Sequence, residues 1–322
     1  MNTLVYACYL NNDKELMNSS SGGAFTALSN AIFDSDGLVI AVEYDSADHK
    51  LIFNKAVDFE QRNKMRGSKY IQADALGLYR LLANELEQKS DKQILVVGTP
   101  CQVAGAKKWV EKKYANLMSR IIFCDLICHG VSSPVMWKKY IECEEKKING
   151  RIDNVTFKNK EKGWIRPTAK AFLSSGKELP IEDYAMLYRS NDFMRESCYK
   201  CIFSDINRCS DITIGDFWNI DKLDEDFVNN NGISLVLIHN EKAKVLFEKI
   251  NDKMNYCEST ISDCMQLNLQ RPTSRSKRFK KIHKDYDKKG LEYVIDKYVH
   301  YGPGNDLIRR IRRKIYRLRY NL

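Results

Sequence analysis

Short runs of consecutive apolar residues alternate along this chain with stretches whose apolar positions recur at helical spacing. Leu4 to Leu10 reads as a first strand. Beyond the polar turn Ser19 to Gly23, residues Phe25, Leu28, Ile32 and Phe33 fall on one side of a helix. Gly37 to Tyr44 and Leu51 to Val57 read as two paired strands, and Ala75 to Leu86 as a helix with Leu76, Leu78, Leu81, Leu82 and Leu86 on its apolar side. Gln93 to Val97 is a buried strand that Gly98, Thr99 and Pro100 turn into a helix beginning near Cys101. Arg120 to Ile127 repeats the theme, and an extended run there puts Cys124, Leu126 and Cys128 on one face. Pro134 opens a helix through Trp137, Tyr140 and Ile141. Ile152 to Phe157 and Thr168 to Phe172 form a second group of strands, followed by a helix around Tyr184 to Phe193. In DITIGDFW the alternate positions Ile212, Ile214, Asp216 and Trp218 face one way, and Ile233 to His239 is one more strand before a helix from Glu241 to Ile250. This pattern predicts an α/β protein with mixed sheets and flanking helices. It divides into an N-terminal α/β domain at 1–149, a second domain at 150–270 and a tail at 271–322, with a soft boundary near Asn149 and no internal repeat.

Charge changes the picture only at the end of the chain. The net charge of the 322 residues is +10, yet Arg271 to Lys289 carries nine Lys or Arg against two Asp, and Pro303 to Leu322 seven against Asp306. The body is therefore close to neutral and the basic character belongs to the tail. From Leu307 onward Ile308, Ile311, Ile315, Leu318 and Leu322 alternate with Arg309, Arg310, Arg312, Arg313, Lys314, Arg317 and Arg319. That is the pattern of a cationic amphipathic helix at 307–322, suited to an anionic membrane face. No base-stacking motif accompanies it, so nucleic acid is not the expected partner. No apolar run approaches the ~20 residues that span a bilayer, and no opening stretch has the order of a signal peptide. The expected location is cytoplasmic, with peripheral attachment to the inner face of the membrane. In that compartment the ten cysteines stay reduced and favour metal binding or burial over disulfides.

Five short blocks carry candidate chemistry. Serines followed by two glycines at a helix start, Ser19 to Gly23, leave backbone N–H groups free to face an anion such as a pyrophosphate. A capped helix after a flexible turn is the plainer alternative. The loop Arg66 to Tyr70, RGSKY, offers two cations, a glycine and a hydroxyl that could clamp a phosphate or set a lysine near an electron-rich ring. Cys101 stands at a helix N-terminus, where the dipole stabilises a thiolate. It suits a reactive thiol or a metal ligand. Cys128 lies where a strand runs out into a loop, and His129 beside it could move a proton at neutral pH or hold a cofactor. Cys198 and Cys201 form a CxxC pair, whose two sulfurs turn to the same side and supply half of a soft-metal site. Cys101 and Cys128 are the best candidates for the other half, with Cys124 and Cys209 as substitutes. Asp216 puts a carboxylate on an otherwise apolar face, so it is either a structural acceptor or part of a cofactor environment.

Taken in order, SSSGGAF, RGSKY, GTPCQVAG, DLICHG and CYKC followed by DITIGDFW resemble the coenzyme F420 hydrogenase/dehydrogenase beta-subunit family. The basic tail is similar to forms of the family that accompany bacterial surface-polysaccharide synthesis. The resemblance implies an iron-sulfur flavoprotein: a 4Fe-4S cluster on Cys101, Cys128, Cys198 and Cys201, and FAD near Ser20, Ser21, Gly22, Gly23, Arg66, Gly67, Ser68, Lys69 and Tyr70. Thr99, Gln102 and Asp216 would complete the cofactor environment, with Lys69 and His129 tuning it as the catalytic groups. It further implies an oxidoreductase that passes electrons to an organic substrate, a sugar or lipid-linked sugar, or to coenzyme F420 itself. Many relatives begin with a ferredoxin-like segment rich in cysteine. Here the chain starts at its first strand with only Cys8 nearby, so an external electron donor such as a ferredoxin is expected. The family's usual glycine after GDFW is Asn219. Two rival readings stand beside this one. The four cysteines could bind structural zinc in a non-redox assembly factor, or Cys101 could be a covalent nucleophile with the others unligated.

Overall fold

A computed structural model of the chain describes residues 2–165 and 167–300. The amphipathic segment expected at 307–322 lies outside the described residues. Strands run β1 (Leu4–Leu10), β2 (Leu38–Asp45), β3 (Lys50–Ala56), β4 (Ala73–Asp74), β5 (Ile94–Gly98), β6 (Ile121–Leu126), β7 (Ile152–Asn159), β8 (Thr168–Leu173), β9 (Glu178–Pro180), β10 (Ile212–Asp216), β11 (Ser234–Ile238) and β12 (Met254–Ser259). Nine of them form one mixed sheet in the order β12-β1-β11-β10-β6-β5-β2-β3-β4. Its centre is parallel, from β10 through β6 and β5 to β2, and antiparallel pairs flank it on both sides. A second, antiparallel sheet has the order β7-β8-β9. The mixed α/β architecture agrees with the sequence pattern. At Asn149 the chain passes into the small sheet, and at β10 it returns to the large one.

The uninterrupted apolar runs are explained by burial on both faces of the sheet. Ile94, Val96, Ile121 and Phe123 point to one side, where α4 (Leu76–Leu86), α5 (Pro100–Lys113) and α6 (Pro134–Ile148) cover them. Leu95, Val97, Ile122 and Cys124 point to the other, against α2 (Ala24–Asp34) and α8 (Glu241–Glu248). Each such side chain contributes about 1.5–3 kcal/mol when fully buried. The helices α1 (Asp13–Met17), α3 (Phe59–Met65), α7 (Glu182–Arg189) and α9 (Ile261–Cys264) are shorter. The small sheet is pinned to the large one by aromatic rings. Trp137 of α6 packs edge-on to Tyr184 of α7 at 4.6 Å and tilts against Phe157 of β7 at 5.4 Å. All three rings are fully buried.

The segment from Arg271 onward does not behave as its composition suggests. Phe279–Val294 forms α10, which turns its polar side out while Ile282, Leu291 and Val294 join the same core as α6 and α7. Gly290 breaks the helix with φ +81°, a backbone state that L-residues rarely adopt, and so resets which side faces inward. An ion pair and a hydrogen bond fix the start of α10. Arg278 Nε lies 2.9 Å from the buried Asp192 carboxylate, and Ser276 bonds the same carboxylate.

His239, just past β11, accepts or donates to Thr3 at 3.2 Å and to Thr213 at 2.9 Å. Burial first, and then the Arg208 charge, push its imidazole from 6.5 down to about 4. The unfolded chain therefore binds one more proton than the folded chain between pH 6.5 and 4, so acidification through that window destabilises the fold. We expect His239→Gln to remove up to ~3 kcal/mol of that loss. Urea midpoints measured from pH 7 to 4 check this; parallel pH profiles for the two proteins would contradict it.

Candidate cofactor site

The C-terminal ends of the parallel strands β5, β6 and β10 open into one cavity of about 290 Å³. This is the edge at which open α/β sheets place their ligands. Its floor is apolar, with Ala41, Val97, Leu126 and Ile214 among the lining residues. Its rim is polar. Ser20, Ser21 and Gly23 reach it from the turn before α2, and Arg66, Gly67, Ser68 and Lys69 from the loop after α3. Thr99 and Gln102 come from the start of α5, and Asp216 from the end of β10. Gly22 and Tyr70 do not line it. Gly22 is required by packing, because a Cβ there would stand 2.1 Å from the Cys8 carbonyl oxygen. Tyr70 stacks on Tyr188 at 4.2 Å, with the rings nearly parallel.

The two expected phosphate loops are tied together. Ser68 donates its backbone N–H to Ser20 Oγ at 2.7 Å. Arg66 pairs with Glu15 of α1, yet its Nε is buried with no hydrogen-bond partner. Across the cavity wall Gln72 Oε1 is likewise buried and unpartnered. At the N-terminus of α2 the amides of Phe25 and Thr26 have no acceptor among the described residues. Unmade bonds at buried polar atoms cost about 1–3 kcal/mol each. A cavity with an orphaned guanidinium donor, an orphaned amide acceptor and a free helix N-terminus fits a ligand with an anionic end and a hydrogen-bonding ring. Lys69 serves the loop itself: its ammonium donates to the carbonyls of Met65 at 2.9 Å, Arg66 at 2.8 Å and Gly67 at 3.1 Å. Burial pushes that ammonium down to about 7.

The cysteine-bearing segments meet at the cavity's edge. Cys101, exposed in the first turn of α5, and Cys198 both line it. The loop after β6 runs against the CxxC turn: Arg195 donates its backbone N–H to the Val131 carbonyl at 2.9 Å, and a Cβ on Gly130 would stand 3.3 Å from Cys198 Cβ. Burial first, and then the sulfurs of Cys101, Cys198 and Cys201, push the Cys128 thiol up to about 12. Cys198 is raised by burial, with Cys101 and Cys201 adding to it. A cationic centre bound at Cys128 and Cys198 would offset the burial that holds both thiols up. Among the described residues no three His, Cys, Asp or Glu side chains are already drawn in around a single metal ion. Cys124 is elsewhere, fully buried in the core beneath α2. Cys209 is exposed, with its carbonyl accepting from Lys107. His129 does not line the cavity; its Nε2 bonds Asn191 Oδ1 at 2.6 Å, a holding contact.

Three groups in the site carry no motif in the sequence. Lys158 of β7 bonds both oxygens of Asp216, at 2.8 and 2.7 Å, and Trp164 donates to the same carboxylate at 3.1 Å. Asp216 is thus a satisfied acceptor at the cavity wall. Lys160 is 4% exposed and donates to the carbonyls of Leu16, Ser21 and Asn231, holding the serine turn from below. Arg208 is the third. Its guanidinium bonds the fully buried Asp125 carboxylate at 3.1 Å and the Leu126 carbonyl at 3.0 Å on the Cys128 side, and the Phe203 carbonyl at 2.7 Å on the Cys201 side.

The chain has counterparts among known proteins. A family model for the C-terminal region of the coenzyme F420 hydrogenase/dehydrogenase beta chain matches residues 91–263. The chain belongs to this family, which ties it to redox enzymes and electron transfer. Among solved structures it is similar to a chain from the xenon-derivatised F420-reducing [NiFe] hydrogenase complex of Methanosarcina barkeri. That likeness covers 98% of this chain and 88% of the other at 14% identity, with a TM-score of 0.52, and shows the shared fold. No curated protein matches the sequence.

Replacing Arg208 by Met leaves the Asp125 carboxylate buried without its counter-charge, so we expect a loss of about 3–5 kcal/mol in urea unfolding. Arg208→Met combined with Asp125→Asn should recover part of that loss. An Arg208→Met protein as stable as the native chain would contradict the clamp.

Proposed function

We propose that this chain is an iron-sulfur flavoprotein oxidoreductase, with a 4Fe-4S cluster on Cys101, Cys128, Cys198 and Cys201 and FAD in the adjoining cavity. The observation that carries this reading is that Cys101 and Cys198 line the same cavity as the two expected flavin loops. When bound, a cluster supplies one-electron steps, and a flavin joins them to the two-electron chemistry of an organic substrate. The protein's own residues bind, orient and seal. Arg66 Nε and the α2 amides would hold the phosphates, and Gln72 Oε1 would accept from the ring edge. Lys160 and Lys69 keep the two loops in place, and the apolar floor excludes water. The apolar cavity and the two phosphate-type loops that adjoin Cys101 and Cys198 support that reading over structural zinc or a lone Cys101 nucleophile. The resemblance of the sequence supports a sugar or lipid-linked sugar as the substrate, with coenzyme F420 as the second class.

Anaerobic purification followed by absorption spectroscopy tests the proposal. We expect about one flavin per chain and a broad visible band that dithionite bleaches. Arg66→Ala should weaken FAD binding by ~10-fold or more without changing the iron content. A colourless protein with stoichiometric zinc would overturn the reading.

A further inference from the structure

The CxxC turn is flanked by a basic surface that the cofactor site does not use. Tyr199, between Cys198 and Cys201, packs edge-on against Phe279 of α10 at 5.5 Å, and the Arg275 guanidinium lies over both rings at 5.1 and 5.0 Å. Arg275 also neutralises Glu196. From this anchor Lys280, Lys284 and Lys288 project at i, i+4 and i+8 along one side of α10, all exposed, and line a groove with Glu196 and Asp287. None of the three makes an ion pair among the described residues. Lys200, inside the CxxC turn, is exposed as well. At the edge of this basic field Ile202, next to Cys201, is 83% exposed.

A bare aliphatic side chain beside the cysteines, next to a row of unpaired ammonium groups, is the composition of a docking face whose affinity comes from charge, with a small apolar contact at its edge. We propose that this face of α10 and the CxxC turn receives a small acidic one-electron carrier protein. The proposal rests on the cluster reading above. A cluster held by Cys198 and Cys201 would take up the single electron that the reduced carrier gives up, the carrier being oxidised by one electron with no bond made or broken and no proton moved. The alternative occupant of a basic helix is an anionic membrane. The carrier is favoured because the lysine row starts beside the CxxC turn, where Phe279 packs on Tyr199 and Glu196 lines the same groove, and because the exposed apolar residue next to Cys201 is a single isoleucine.

The test uses the full chain, purified anaerobically, and its Lys280→Glu/Lys284→Glu/Lys288→Glu variant, with an acidic plant-type ferredoxin as probe. Binding of the oxidised ferredoxin at low salt should weaken ~10-fold or more in the variant. The steep salt dependence of the native chain should flatten, while iron content and bleaching by dithionite stay unchanged. Unaltered ferredoxin affinity in the variant overturns the docking face, whether or not binding to phosphatidylglycerol vesicles falls. A native chain without iron overturns the cluster reading instead, and the electron route with it. Metal analysis and ferredoxin affinity therefore separate the two failures.

Discussion

One buried cation, the Arg208 guanidinium, decides whether the cysteine segments can meet. Its side chain is 2% exposed and the Asp125 carboxylate it faces is fully buried. Burial raises the Asp125 carboxyl, and Arg208 opposes that shift most strongly. Thr213 donates to the same carboxylate at 2.6 Å. Charges taken this far from water persist only when their hydrogen-bonding positions are filled. Arg208 meets that condition by reaching carbonyls on both sides of the site, and in doing so it joins the strand that leads to Cys128 to the loop that follows Cys201. The ion pair thus sets the relative position of two sulfur-bearing segments that lie far apart in sequence.

The same logic repeats at lower cost around the cavity. Lys160 bridges three carbonyls under the serine turn, Lys69 caps the end of α3, and Lys158 holds Asp216. Each is a lysine folded inward onto protein oxygens, so the loops that frame the cavity are held by cations and not by packing alone. The parallel centre of the sheet supplies the rigid part. Its strand ends deliver Thr99, Leu126 and Asp216 to one cavity. Around the cavity the unpartnered groups are a donor, an acceptor and a helix end, a pattern that fits a ligand with an anionic end.

Much of this was legible in the sequence. Runs such as QILVV announce strands buried on both faces, and the glycine, cysteine and proline blocks mark the loops at their ends. Cys101 and Cys198 line one cavity together with most of the residues expected near the flavin. What escaped has a common cause. Arg208, Lys158 and Lys160 act through partners distant in sequence, and a lone Lys or Arg among polar neighbours reads as solvated surface. The α10 segment escaped because the break at Gly290 interrupts its apolar period and its charge hides it. His129 shows the reverse error: a titratable residue beside a cysteine drew attention, while its ring is held by Asn191 outside the cavity. Among the described residues no helix is long and apolar enough to cross a membrane.

The central claim is that four particular sulfurs, and no others, surround one inorganic core. Iron bound per chain after anaerobic purification, compared across single serine variants of six cysteines, tests it most directly. The native chain should carry about four irons. Each of Cys101→Ser, Cys128→Ser, Cys198→Ser and Cys201→Ser should lose most of them, while Cys124→Ser and Cys209→Ser keep them. Full iron in Cys101→Ser or Cys128→Ser, or its loss in Cys209→Ser, would contradict the account.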